Sequence, residues 1–181
     1  VNGLAYTPFG GTMLPIEVTS YKGNGNLTLT GSLGEVMIES AKIALSYIKA
    51  NCKEFEIDDD IFNQNDFHIH VPEGAVPKDG PSAGITLTTA LLSCLKKKKT
   101  KKNIAMTGEI TLTGKVLPIG GLREKSIAAH RSGIKTICIP KDNIKNLDEI
   151  PAIVKEELTI IPCSTIEDVL KVAVVESVEC K

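Results

Sequence analysis

The chain has 181 residues, 42% of them hydrophobic and 24% charged, with a formal net charge of −1. That length supports one substantial core, a single domain over residues 1–181, and the balanced charge excludes a global attraction to nucleic acid or to an anionic membrane. No apolar run approaches the ~20 residues that span a bilayer, and no charged segment followed by a hydrophobic one opens the chain, so a soluble protein without an export signal is expected.

Residues 1–31 carry short β-rich pieces, LAYT, MLPIEVTSY and NLTLTG, separated by Gly-Gly and by the turn-forming KGNGN. The opening VNGLAYTPFGG begins with Val1 rather than Met and reads as the interior of a folded unit, so a C-terminal fragment of a longer protein is expected. Ser32 and Glu35 then spell a capping box, and Leu33, Val36, Met37, Ala41, Ala44, Leu45 and Ile48 recur at helical spacing, which predicts an amphipathic helix over about 33–50. After the acidic loop EIDDD, DFHIHV alternates as a strand does.

From Pro81 the nearly uncharged run SAGITLTTALLSCL predicts a helix buried on most sides. It ends in the solvated KKKKTKK, followed by strands at NIAMTG and KVLPIG. GLREKSIAAHRSG is a helix with a glycine stop, TICIP a buried strand, LTIIP another, and TIEDVLKVAVV the last helix. The second half therefore reads βαβα after a strand-heavy first half, an α+β chain. Cys52, Cys94, Cys138, Cys163 and Cys180 form no CxxC pair and sit mostly in apolar segments, as buried thiols of a reducing compartment do.

Ser82, at the start of the buried helix, invites two readings. A serine in a first helical turn is commonly a cap, whereas Gly80-Pro81-Ser82-Ala83-Gly84 also spells the G-x-S-x-G of a nucleophile elbow. The elbow needs a preceding strand and a later histidine. AVPKD is too polar and proline-rich for a central strand, and the later histidine, His130, lies on the polar face of its helix with Arg123. Lys125 is the unusual residue of that helix, because it shares a stripe with Leu122 and Ala129 that should face the core. A lone lysine there would normally snorkel to water. Buried instead, it would lose its charge near neutral pH and become a base for the Ser82 hydroxyl, in a Ser-Lys variant of triad logic. With Pro81 as first helical residue, the amides of Ser82 and Ala83 would remain free to hold an oxyanion.

HIHVPEGAVPKDGPSAG, MTGEITLTGKVLPIGGLREK and AAHRSGIKTICIPKDN together resemble the proteolytic domain of the ATP-dependent Lon proteases of the bacterial and mitochondrial type, over nearly the whole chain. The resemblance implies Ser82 as nucleophile and Lys125 as base, with Thr107 bonded to the lysine amine. It implies an oxyanion hole formed at Gly80 and Ser82 in a loop with Asp79, and His68 on the strand leading in. It further implies a fold like that of ribosomal protein S5 domain 2, mixed β-sheets with flanking helices. The implied activity is a serine endopeptidase that degrades unfolded, damaged or short-lived regulatory proteins through an acyl-enzyme, in protein quality control and the stress response. No cofactor is expected in this domain; ATP and Mg are expected on an ATPase module outside the chain. The implied whole protein is a homohexameric ring in the cytoplasm, or alternatively the mitochondrial matrix, with no membrane partner and room for a weak DNA contact elsewhere in it. Tyr6 departs from the family's usual tryptophan, and the KKKKTKK run is more basic than usual.

His68 and His70 share one strand face as a metal pair would, yet no third ligand stands at a recognisable spacing, and packing is the favoured reading. GGLREKS and GEITLTGKV only partly match a phosphate loop and should not bind ATP. The six lysines between 96 and 102 lack interleaved aromatics, and a nucleic-acid module is the weaker alternative.

Overall fold

In the computed structural model, which describes residues 1–175, strands β1 (Asn2–Thr7) and β2 (Gly10–Pro15) form an antiparallel hairpin. Strand β1 also pairs in parallel with β6 (Ile104–Met106), which continues through β9 (Thr136–Pro140) to β10 (Thr159–Cys163), so the five-stranded sheet runs β10-β9-β6-β1-β2. A second sheet places β5 (Asn65–His70) between β3 (Glu17–Lys22), antiparallel, and β4 (Leu27–Thr30), parallel. The alternation in DFHIHV is realised: Phe67 and Ile69 are buried and the intervening residues are not. This is the expected architecture of mixed sheets with flanking helices.

The two faces of the larger sheet bury separate apolar clusters. On β6 and β9, Ile104, Met106 and Cys138 join a cluster with α1 (Glu35–Ala50), α3 (Gly84–Lys96), α6 (Ile166–Ala173) and the inner face of the smaller sheet. The intervening Ala105, Ile137 and Ile139 face the other way, under α4 (Leu122–Arg131) and α5 (Ala152–Glu157). Helix α4 thus packs its Leu122 and Ala129 stripe on the sheet, as predicted. A short ribbon of β7 (Glu109–Ile110) and β8 (Val116–Leu117) links β6 to α4. Helix α2 (Ile61–Gln64) and a 3-10 helix over Lys141–Glu149 carry no period long enough to be read in the sequence.

Three boundaries differ from expectation. The Ser32–Glu35 capping box does not form: Ser32 sits at φ +61 and Gly34 is the N-cap of α1. A distant carboxylate replaces it, since Asp79 Oδ1 accepts the Met37 amide at 3.0 Å, and a Cβ on Gly34 would lie 2.2 Å from Asp79 Cγ. The buried helix starts at Gly84 rather than Pro81, because Gly108 holds both flanks of the preceding turn. The Gly108 amide donates to Ser82 O at 2.8 Å, and Gly108 O accepts the Ile85 amide at 3.0 Å. The last helix ends at Ala173, where Val174 leaves to bridge Thr100; Cys180 lies outside the described residues.

Candidate active site

Lys125 is the centre of the site. It projects from the core stripe of α4 with 1% of its surface exposed, so it does not snorkel. Its ammonium donates to Thr107 Oγ1 at 3.1 Å, and among the described residues no carboxylate lies within ion-pair distance of it. Removal from water without a counter-charge disfavours the cation and lowers its pKa from 10.5 to about 8. The face of Tyr6 lies over the amine, with Nζ 5.7 Å from the ring centroid. That contact, which favours the cation, joins residues more than a hundred positions apart and has no local sequence pattern. Its only trace in the sequence is the Gly120–Gly121 pair: Gly121 has φ +72, and a Cβ there would meet the Tyr6 ring at 2.3 Å.

Thr107 follows β6 and is fully buried. Its amide donates to Cys138 O at 3.1 Å, extending the β6–β9 pairing by one residue and fixing the hydroxyl that meets Lys125. The next residue, Gly108, bonds on both sides of the Ser82 turn. The main chain therefore ties the Ser82 turn, through Gly108, to the residue that holds the lysine amine. Thr107 and Lys125 are joined directly; Ser82 Oγ and Lys125 Nζ are not hydrogen-bonded among the described residues.

Ser82 is half-buried in the turn before α3 rather than within its first turn. Its amide and that of Ala83 have no hydrogen-bond partner among the described residues, so both donors are free, for a different reason than a helical Pro81. The Gly80 amide is engaged with Asp79 Oδ1 at 2.9 Å. Asp79 spends its carboxylate on the amides of Gly80 and Met37, and these bonds hold it ionised below the ordinary carboxylate range. Gly80 itself adopts φ +116, a conformation open to glycine.

His68 makes no contact with Ser82, Lys125 or Thr107 through its hydrogen bonds. Its Nε2 meets Thr30 Oγ1 at 2.8 Å, and His70 Nδ1 meets the same oxygen at 2.7 Å. The pair is thus satisfied by a threonine, and among the described residues it belongs to no cluster of three metal-ligating side chains. His130 is tied to Glu157 across α4 and α5, and among the described residues no strand leads directly into Ser82, so the nucleophile-elbow reading has neither its strand nor its base.

The chain belongs to the family of the Lon protease (S16) C-terminal proteolytic domain, whose model matches residues 1–176. It is 64% identical over 172 residues to a Lon protease of Mycoplasma mycoides subsp. mycoides, covering 95% of this chain and 22% of that protein. It is 62% identical over 168 residues to a Lon protease of Aster yellows witches'-broom phytoplasma, covering 93% of the chain and 21% of that protein. With a Lon protease of Desulfosudis oleivorans the identity is 58% over 173 residues, 96% of the chain and 21% of the relative. The chain therefore spans about a fifth of the length of these relatives. No helix of the described residues is long and apolar enough to cross a membrane.

Proposed function

We propose that this chain is the serine endopeptidase domain of an ATP-dependent protease and that Ser82 and Lys125 form its catalytic dyad. The observation that carries the reading is the buried Lys125, which has no counter-ion among the described residues, is held by Thr107, and is linked through Gly108 to the turn bearing Ser82. A neutral Lys125 amine that donates one hydrogen to Thr107 Oγ1 keeps its lone pair for the Ser82 hydroxyl. As the Ser82 oxygen bonds to a peptide carbonyl carbon, that proton passes to Nζ, and the carbonyl oxygen becomes an oxyanion. The free amides of Ser82 and Ala83 stand ready as its donors, joined by that of Gly80 once its bond to Asp79 opens. The lysine then returns the proton to the leaving nitrogen as the C–N bond breaks, leaving an acyl-Ser82 ester. Water, deprotonated by the same amine, releases the acid and restores the serine.

The step that the isolated chain still needs is the approach of Ser82 Oγ to Nζ. We assign it to assembly of the whole protein, a hexameric ring whose ATPase module holds ATP and Mg outside this chain and delivers unfolded or damaged proteins. Such a protein would work in the bacterial cytoplasm or the mitochondrial matrix, and any weak DNA contact would lie on its other modules. The isolated chain should accordingly show weak peptidase activity and no ATP hydrolysis.

Cleavage of an unstructured protein such as casein tests the assignment. Ser82→Ala and Lys125→Ala should each abolish it, and His130→Ala should leave it intact because that imidazole serves Glu157. Loss of cleavage in the His130 variant, with activity surviving in Lys125→Ala, would replace the dyad with a histidine mechanism.

A further inference from the structure

The loop between β5 and Ser82, residues 71–80, has a fastening that the mechanism above does not use. Lys78 is half-buried, and its ammonium donates to three main-chain carbonyls: Glu73 O at 2.7 Å, Gly31 O at 2.8 Å and Val76 O at 3.0 Å. An ammonium has three hydrogens to donate, so its capacity is filled by the chain itself. Among the described residues it has no carboxylate partner. Two of those carbonyls belong to the loop, and the third belongs to Gly31 at the end of β4.

The loop does not hold this shape by local preference. Glu73 sits at φ +66, in the left-handed region that a side chain with a Cβ seldom occupies. Its carbonyl accepts the Val76 amide at 2.9 Å as well as the Lys78 ammonium. The Lys78 main chain adds a second attachment: its amide donates to Ser32 O at 2.9 Å and its carbonyl accepts the Gly34 amide at 2.7 Å. Side chain and backbone of one residue thus lash the loop to residues 31–34.

What the loop borders gives the fastening a purpose. Pro72, Glu73, Val76 and Pro77 line a cleft of about 120 Å³ together with Tyr6 and Met13. Tyr6 is the residue lying over the Lys125 amine, and Asp79, also in the cleft wall, leads directly to Gly80 and Ser82. The cleft thus shares Tyr6 with the Lys125 amine and Asp79 with the segment that leads to Ser82. A wall made of a strained surface loop would open unless something gathered its carbonyls, and the Lys78 ammonium gathers them.

We propose that Lys78 is a positioning residue: its ammonium fixes the 71–80 loop against the end of β4 and so sets the wall of the cleft along which an extended peptide reaches Ser82. The inference rests on the reading of Ser82 as the cleaving residue. Lys78 touches no reacting atom, and its effect is expected on peptide binding more than on bond cleavage.

Two readouts on the 181-residue chain test this. The first needs no activity: amide hydrogen exchange at Val76 and at Lys78, whose protons bond to Glu73 O and Ser32 O. Lys78→Met, which keeps the aliphatic stem and removes the donors, should speed exchange at both amides about tenfold or more, as loss of charge-assisted bonds implies. The Gly108 amide, bonded to Ser82 O, should keep its rate. Lys78→Arg, which retains donors on a long stem, should restore most of the protection. The second readout is cleavage of an extended peptide, for which Lys78→Met should raise KM about tenfold with kcat within about twofold, and Lys78→Arg should recover much of the change. Unchanged exchange at Val76 and Lys78 would overturn the fastening. Faster exchange with an unchanged KM, or a fall in kcat alone, would overturn its role in the cleft. Cleavage that survives Ser82→Ala would instead sink the functional reading, while the exchange experiment would still decide whether Lys78 holds the loop.

Discussion

Replacing Lys125 with methionine should abolish catalysis and stabilise the domain. The shift from 10.5 to about 8 means that folding burdens the Lys125 cation. At about 1.4 kcal/mol per pH unit between those values, the burden is on the order of 3 kcal/mol. Because Lys125 is 1% exposed, solvent screening discounts little of it. Methionine fills a similar volume without charge, and loses the bond to Thr107, worth about 1 kcal/mol. The net gain at pH 7 is therefore about 2 kcal/mol, or roughly 4–8 °C in Tm for a chain of this size. The sign with pH follows from proton counts. Between pH 8 and 10.5 the unfolded chain binds the lysine proton and the folded one does not, so wild-type stability gains on the variant as pH rises. The advantage of Lys125→Met should be full below pH 8 and largely gone above 10.5. Thermal or urea unfolding of both proteins at pH 7 and pH 10 measures it, the difference cancelling all other titrations. A variant less stable than wild type at pH 7, by an amount that does not change with pH, would refute the claim that the site strains against a charged lysine.

Thr107→Val removes the hydroxyl that holds Nζ, and should lower kcat/KM about ten- to a hundredfold while the circular dichroism spectrum stays unchanged. Asp79→Ala removes the carboxylate that caps α1 and holds Gly80. It should lower Tm at neutral pH, and the gap to wild type should close as pH falls below the ordinary carboxylate value of 3.8, where protonation weakens the same bonds. Gly121→Ala places a methyl group against the Tyr6 ring in a left-handed conformation, and should cost about 1–3 kcal/mol in urea unfolding. Thr86→Val should be neutral or stabilising by about 1 kcal/mol, because Thr86 Oγ1 is buried without a partner among the described residues. The carbonyl one helical turn earlier, Ser82 O, already accepts the Gly108 amide.

The parts of this molecule that a sequence exposes are those set by short-range pattern. The stripe of Leu122, Lys125 and Ala129 on α4 was legible because helical spacing alone puts the three on one face, and the structure buries all three. The strand at Phe67 and Ile69 was legible by alternation for the same reason. The contacts that finish the site were hidden because they join distant segments. Asp79 caps a helix whose own sequence offered Ser32. Gly108 delays α3 to Gly84 by taking the Ser82 carbonyl. Tyr6 covers a lysine far along the chain. Motif resemblance pointed to Thr107 as the partner of the lysine amine, where its hydrogen bond places it, and to His68 only as a residue of the strand leading in; the bonds of His68 run to Thr30. Residue identity in a motif does not say which partner a side chain finds.

The most direct test of the account is a titration of Lys125 itself, followed by the NMR shift of its ε-carbon in protein labelled on lysine, with Lys125→Met to identify the signal. The expected midpoint lies near pH 8 and persists in Ser82→Ala, because the cause is burial. A midpoint near 10.5, the value of an ordinary lysine, would leave roughly one amine in three thousand neutral at pH 7 instead of about one in ten, and would contradict the proposed role as base.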